Sequence, residues 1–124
     1  MSAPENNTGV RRIFNAFFFS MHGLKACFRT EEAFRQEVYL AAVMIPAAFW
    51  VGSNITETVL LISAVAFVLI VEMLNTAVER AIDRISFEKH ELSKEAKDMG
   101  SAAVFMALVL AGFIWAVIGL PKLF

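Results

Sequence analysis

Cysteine is nearly absent from this chain. Cys27 stands alone, which excludes an internal disulfide and every paired-cysteine metal spacing. Glycine is sparse and scattered, at 9, 23, 52, 100, 112 and 119, and builds neither a G-x-x-x-x-G-K-[ST] nor a G-x-G-x-x-G phosphate loop. A basic excess is also missing. Eleven Lys and Arg against twelve Asp and Glu leave a formal charge of −1, so nucleic acid is not an expected partner. Charge of either sign is scarce, at 19% of the 124 residues, while 58% are hydrophobic. Soluble domains average about 25% and about 45–50%. No repeat, low-complexity tract or linker divides the chain, and one domain over 1–124 is expected.

What is present is a set of apolar runs. Asp, Glu, Lys and Arg are absent from 38–56, 58–71 and 99–121. The first and third runs are nineteen and twenty-three residues long, near the roughly 20 that cross about 30 Å of hydrocarbon as a helix. Pro46 is placed to kink the first, and Trp115 lies near the far end of the third, where an aromatic belt would sit. The second run has only fourteen residues and reaches 58–78 if one carboxylate, Glu72, is admitted. Upstream, Phe14, Phe17, Phe18, Met21, Leu24 and Phe28 recur at helical spacing, with Arg11, Asn15, His22 and Arg29 off the stripe. Such a helix suits the headgroup plane, with Lys25 reaching toward phosphates. The expected fold class is therefore an all-α membrane protein. It has three transmembrane helices at about 35–52, 58–80 and 97–121 and an N-terminal amphipathic surface helix at about 10–29.

Basic residues set the expected orientation. Arg11, Arg12, Lys25, Arg29 and Arg35 precede the first span, and Arg80, Arg84, Lys89, Lys94 and Lys97 lie between the second and third. The 52–57 connector has none, and Lys122 alone follows the last span. Retention of cations in the cytoplasm places the N-terminus and the 79–98 loop inside. The 1–9 segment is polar, so no signal peptide is expected.

The chemistry rests on carboxylates. Glu72, Asn75, Glu79 and Asp83 follow one another at i, i+3, i+7 and i+11, within one third of a helix circumference. A charge at membrane depth costs on the order of 2.5–3.5 kcal/mol, so Glu72 must face protein, water, ligand or cation. Three helices of so short a chain are expected to leave this stripe partly facing lipid, so shielding by a second protomer is anticipated. Two readings of Glu72 stand side by side: a carboxyl hydrogen-bonded between helices, or a general base for a substrate hydroxyl. Glu79 can share a nucleotide-borne Mg²⁺ with a carboxylate from TEEAFRQE, which offers Glu31, Glu32 and Glu37 at the same level. Neither Glu31 nor Glu79 has an evident cationic partner in the sequence. Thr30 is also a candidate N-cap, and first-turn acids favour a helix dipole without any metal. Lys97, Asp98 and Ser101 open the last span at that level. Nine of sixteen residues in 83–98 are charged, which ordinarily marks a solvated connector. Proton or ion passage along the stripe fits these residues as well.

EAFRQE at 32–37, VEMLNTAVERAIDRIS at 71–86 and HELSKEAKDMGSAA at 90–103 resemble the bacterial integral-membrane diacylglycerol kinase family in order and spacing. The resemblance covers nearly the whole chain. It implies a homotrimer in the bacterial inner membrane that transfers the ATP γ-phosphoryl group to diacylglycerol, giving phosphatidic acid. Carried over by position, Glu72 resembles the general base, and Glu31 and Glu79 the carboxylates that hold the nucleotide's Mg²⁺. Asn75, Lys97 and Asp98 resemble residues around the nucleotide, with Arg12, Phe19, Glu88, Lys89 and His90 lining the same ATP site. Phe19 replaces a tyrosine often seen there. Arg12, Lys25, Arg35, Gln36 and Ser101, together with Glu72, would meet the lipid. His22 and Asn15 stand where basic residues are common. A neighbouring branch of the family phosphorylates undecaprenol, and these motifs do not separate the two lipids.

The charge distribution makes one expectation independent of any activity. In a Cys27→Ser background, a cysteine placed at Ser53 is labelled by an impermeant thiol reagent added outside intact cells, and one at Ser86 is not. The opposite pattern would overturn the orientation.

Overall fold

The computed structural model describes residues 8–85 and 90–124. Four helices follow one another: α1 (Gly9–Thr30), α2 (Glu32–Val51), α3 (Ile55–Ile85) and α4 (Glu91–Gly119), ending in a single 3-10 turn, Leu120–Lys122. No strand occurs among the described residues. α3 is the central element. It packs against α4 and α2, while α1 packs against α2.

Small side chains set these contacts. Ala41 and Ala48 of α2, Ala64 of α3 and Ala107 of α4 are buried, beside Leu61, Val65 and Val68 of α3. Small residues let apolar helices approach closely, which matters most where lipid competes for the same apolar surface. Trp115 of α4 adds one directional contact, its indole N–H donating to the Leu61 carbonyl at 3.1 Å.

α3 and the unit Glu91–Lys122 are long and apolar enough to cross a membrane, and only 28% and 6% of their most apolar stretches are buried. The chain alone does not cover these surfaces. α2 is not of that kind: Glu32, Arg35, Gln36 and Glu37 occupy its first two turns, leaving 38–51 as an uncharged length of about 21 Å. Pro46 lies inside α2, which continues past it to Val51. The aromatic stripe of α1 is open too, with Phe14 61% exposed and Phe17 and Phe18 each 57%.

The two ends of the bundle differ. At one, Asn54 starts α3, its side-chain oxygen accepting from the Glu57 N–H at 2.9 Å, and Glu57 accepts from the Ser53 N–H at 2.8 Å. Gly52 is required there, because a Cβ would collide with the Thr58 side chain. Lys122 folds onto this connector, donating to the Val51 carbonyl at 2.8 Å, to the Ser53 hydroxyl and to Glu57 at 3.0 Å. The connector and the C-terminus therefore share one end. At the other end lie the α1–α2 joint, the end of α3 and the start of α4, and with them nearly all the remaining charge.

Thr30 is not the N-cap of α2. It belongs to the last turn of α1, where its hydroxyl donates back to Ala26 O at 2.7 Å. The joint is the single extended residue Glu31, at φ −112 and ψ 110, whose side chain caps neither helix.

Candidate active site

Glu31 turns the chain with little freedom. Its N–H donates to Cys27 O at 2.9 Å and its carbonyl accepts from Arg35 N at 3.1 Å. The Arg35 guanidinium donates to the last carbonyls of α1, Phe28 O at 3.0 Å and Arg29 O at 2.9 Å, which would otherwise lack partners. The structure thus gives Arg35, a candidate lipid contact, the task of closing this corner. Cys27 is buried behind it against the Thr76 hydroxyl, and burial pushes its thiol above the ordinary range. Thr76 in turn donates to Glu72 O at 3.1 Å.

Glu72 is enclosed within one chain. It is 8% exposed, which corrects the expectation of a lipid-facing carboxylate stripe for this member of it, while Glu79 and Asp83 remain half-buried. α3 turns this face toward α2, so protein replaces lipid around Glu72. Its Oε2 is buried with no hydrogen-bond partner, and so is Oε1 of Glu37 on α2. The two carboxyls lie within repulsive range of each other, and Glu31 and Glu79 also lie near enough to Glu72 to repel it. Glu37 of α2, Glu31 of the joint and Glu79 of α3 thus each lie within electrostatic range of Glu72. Glu32 points elsewhere, accepting from Gln36 at 3.4 Å on an exposed surface.

The rest of the stripe is held by α4. The Asn75 side chain occupies the space that a Cβ on Gly100 would need, and its Oδ1 is buried without a partner. Asp83 accepts from Lys97 at 2.7 Å, and Glu79 is within electrostatic range of the same lysine. Asp98 pairs with Lys94 at 2.8 Å on the exposed side of α4. His90 is the N-cap of α4, its Nδ1 accepting from Leu92 N at 3.1 Å. Ser101 is exposed one turn beyond Lys97. Glu88 and Lys89 lie outside the described residues.

Besides Gln36, paired with the outward-facing Glu32, and Asp98, paired with Lys94, three candidates are not brought to this cluster. Arg12, Phe19 and Lys25 are exposed on α1. At 1.5 Å per residue Arg12 stands about 27 Å from Thr30 along the helix, and Phe19 about 16 Å.

A cation missed in the sequence does reach the cluster. Arg80 Nη2 donates to the Thr30 hydroxyl and lies 3.4 Å from Glu31 Oε1, which corrects the expectation that Glu31 has no cationic partner. Residues 72, 76 and 80 follow at i, i+4 and i+8, so Arg80 lies on the flank of α3 that meets the α1–α2 joint. That spacing was the available signal.

The Asn75–Gly100 contact can be tested by sign. Gly100→Ala forces the carboxamide aside at about 1–3 kcal/mol. In an Asn75→Ala background the space is open, and the same substitution gains up to about 1 kcal/mol of helix propensity. Denaturant unfolding in micelles should show destabilisation in the first background and stabilisation in the second; the same sign in both would refute the contact.

The comparisons with known proteins agree with one another. The family model described as prokaryotic diacylglycerol kinase matches residues 18–119. The diacylglycerol kinase of Pseudomonas aeruginosa PAO1 is 49% identical over 114 residues, covering 92% of this chain and 93% of its own. That of Haemophilus influenzae Rd is 47% identical over 108 residues, covering 87% and 92%. That of Escherichia coli K12 is 46% identical over 113 residues, covering 91% and 93%. The matched segment runs from α1 to the end of α4 and so contains the joint, the carboxylate cluster and its α4 partners. This chain belongs to the prokaryotic diacylglycerol kinase family.

Proposed function

We propose that the chain is an ATP-dependent diacylglycerol kinase of the bacterial inner membrane, transferring the γ-phosphoryl group to the lipid hydroxyl to give phosphatidic acid. One observation carries this reading beyond family membership. Glu72 is buried on an apolar helix with an unpartnered oxygen, while Glu31 and Glu79 lie within electrostatic range of it and are themselves half-buried. Counted from Ile55 at 1.5 Å per residue, Glu72 lies about 26 Å along α3 and Glu79 about 36 Å. In this reading the hydrocarbon layer begins near Ile55 and, at about 30 Å thick, ends between them. A hydroxyl carried on a lipid in the bilayer can thus reach Glu72 while a nucleotide in water reaches Glu79.

The donor set fits a metal ion that arrives with the nucleotide. Among the described residues no group of three or more potential ligands forms a resident metal site. Mg²⁺ commonly takes one or two carboxylates, with phosphates and waters completing its shell. Glu31 and Glu79 would hold it, and it would offset phosphate charge during transfer. Glu72 takes the proton of the attacking hydroxyl. Lys97, released from or shared with Asp83, neutralises phosphate charge, and Asn75 donates to the nucleotide from its seat against Gly100.

The apolar surfaces support three spans, α2, α3 and α4, with α1 in the headgroup plane on the cytoplasmic side. α2 crosses only with neighbours that shield its polar first turns. A homotrimer supplies them and also explains Arg12. At about 27 Å from Thr30 along α1, it would complete the phosphate site of another protomer.

Purified protein in mixed micelles with γ-labelled ATP and Mg²⁺ should phosphorylate dioleoylglycerol in preference to undecaprenol. Labelled undecaprenyl phosphate as the dominant product would assign the chain to the other branch. Conductance without ATP, and no labelled lipid, would favour an ion pathway instead.

A further inference from the structure

Arg80 brings a full positive charge to a carboxylate assigned to metal binding. Its guanidinium is anchored by the Thr30 hydroxyl and lies 3.4 Å from Glu31 Oε1, with the two side chains 47% and 34% exposed. An ion pair this open to solvent is weak and costs little to break. The residue before it, Glu79, is the other carboxylate of the proposed nucleotide site.

We infer that Arg80 is a nucleotide-binding residue that works by partner exchange: it holds Glu31 in the empty site and moves to the nucleotide's phosphate oxygens when Glu31 takes the metal. The inference rests on the reading of Glu31 and Glu79 as the nucleotide-metal carboxylates. Charge stays matched through the exchange. Before entry the Arg80 cation faces the Glu31 anion. Afterwards Glu31 and Glu79 would hold the divalent ion, and the guanidinium would face phosphate, which it can engage through two parallel N–H donors. Thr30 serves as the pivot, because its hydroxyl belongs to α1 and stays in place when the carboxylate is taken. Without the exchange, metal and guanidinium would compete for one carboxylate oxygen.

Competition and assistance have opposite signs, and that makes the inference testable without turnover. Mn²⁺ binding to the full chain in micelles is followed by electron paramagnetic resonance, with and without the non-hydrolysable β,γ-imido analogue of ATP, in the absence of lipid acceptor. Arg80→Ala should bind Mn²⁺ alone more tightly than wild type. It should bind the Mn²⁺–nucleotide complex about tenfold or more weakly, from the lost charge-assisted bonds. Arg80→Lys should recover part of the second effect. Arg80→Gln carries the same expectations as Arg80→Ala should the latter fail to assemble.

Unchanged affinity for the complex in Arg80→Ala, or a parallel loss for Mn²⁺ alone and for the complex, would overturn the exchange. Thr30→Val, which keeps the cation and removes only its anchor, should show both effects in weaker form, and a Thr30→Val variant that binds the complex as tightly as wild type would overturn the pivot. Failure of the underlying reading looks different: Glu31→Gln and Glu79→Gln would then bind the Mn²⁺–nucleotide complex as wild type does.

Discussion

Placing a carboxylate, Glu72, within the apolar run of α3 is the constraint from which the arrangement follows. A charge exposed to an apolar surrounding is costly, so α3 has to turn the Glu72 face toward protein. α2 provides the cover. Small residues, Ala41 and Ala48 on α2 and Ala64 on α3, are buried along the bundle and let the helices close up. Because α2 leaves α1 at a single extended residue, the same packing delivers Glu31 and Arg80 to the edge of the site. The orphaned oxygens of Glu72 and Glu37 are the residual cost. A buried group left without a partner is disfavoured in folding, which fits a position that serves chemistry rather than stability.

Charge is divided between the two ends of the bundle accordingly. At the connector end Lys122 answers Glu57 and two backbone or hydroxyl acceptors, a closed arrangement with a structural role. At the joint end two ion pairs cross between elements, Arg80 with Glu31 and Lys97 with Asp83, and a third, Lys94 with Asp98, runs along α4. These pairs are at least one-third exposed, so each contributes little to stability. Phosphoryl transfer depends on such positioned charge more than on covalent help from the protein.

Much of this was legible in the sequence because it is periodic. The i, i+3, i+7, i+11 spacing put Glu72, Asn75, Glu79 and Asp83 on one face, and the charge-free runs located the helices. Pairings between helices were less accessible. Nothing in the local sequence says that Gly100 leaves room for Asn75, or that Arg35 spends its guanidinium on the carbonyls of α1. In the sequence Arg80 reads only as part of the basic excess between the second and third runs, because one chain position carries no record of what meets it from α1. The shielding of Glu72 was underestimated for a similar reason: the close approach of α2 to α3 depends on several separated alanines acting together. Thr30 reads as a helix start from composition, but α1 simply continues through it.

The assignment of Glu72 is tested most directly by Glu72→Gln, which keeps the size and most hydrogen-bonding capacity of the side chain while removing the base. Its rate of phosphoryl transfer to dioleoylglycerol should fall by roughly 10²–10⁴-fold, with Mn²⁺–nucleotide binding and the unfolding midpoint in micelles close to those of the wild type. Turnover near the wild-type rate, at matched protein and lipid, would contradict a base at this position and leave the buried carboxylate a structural group.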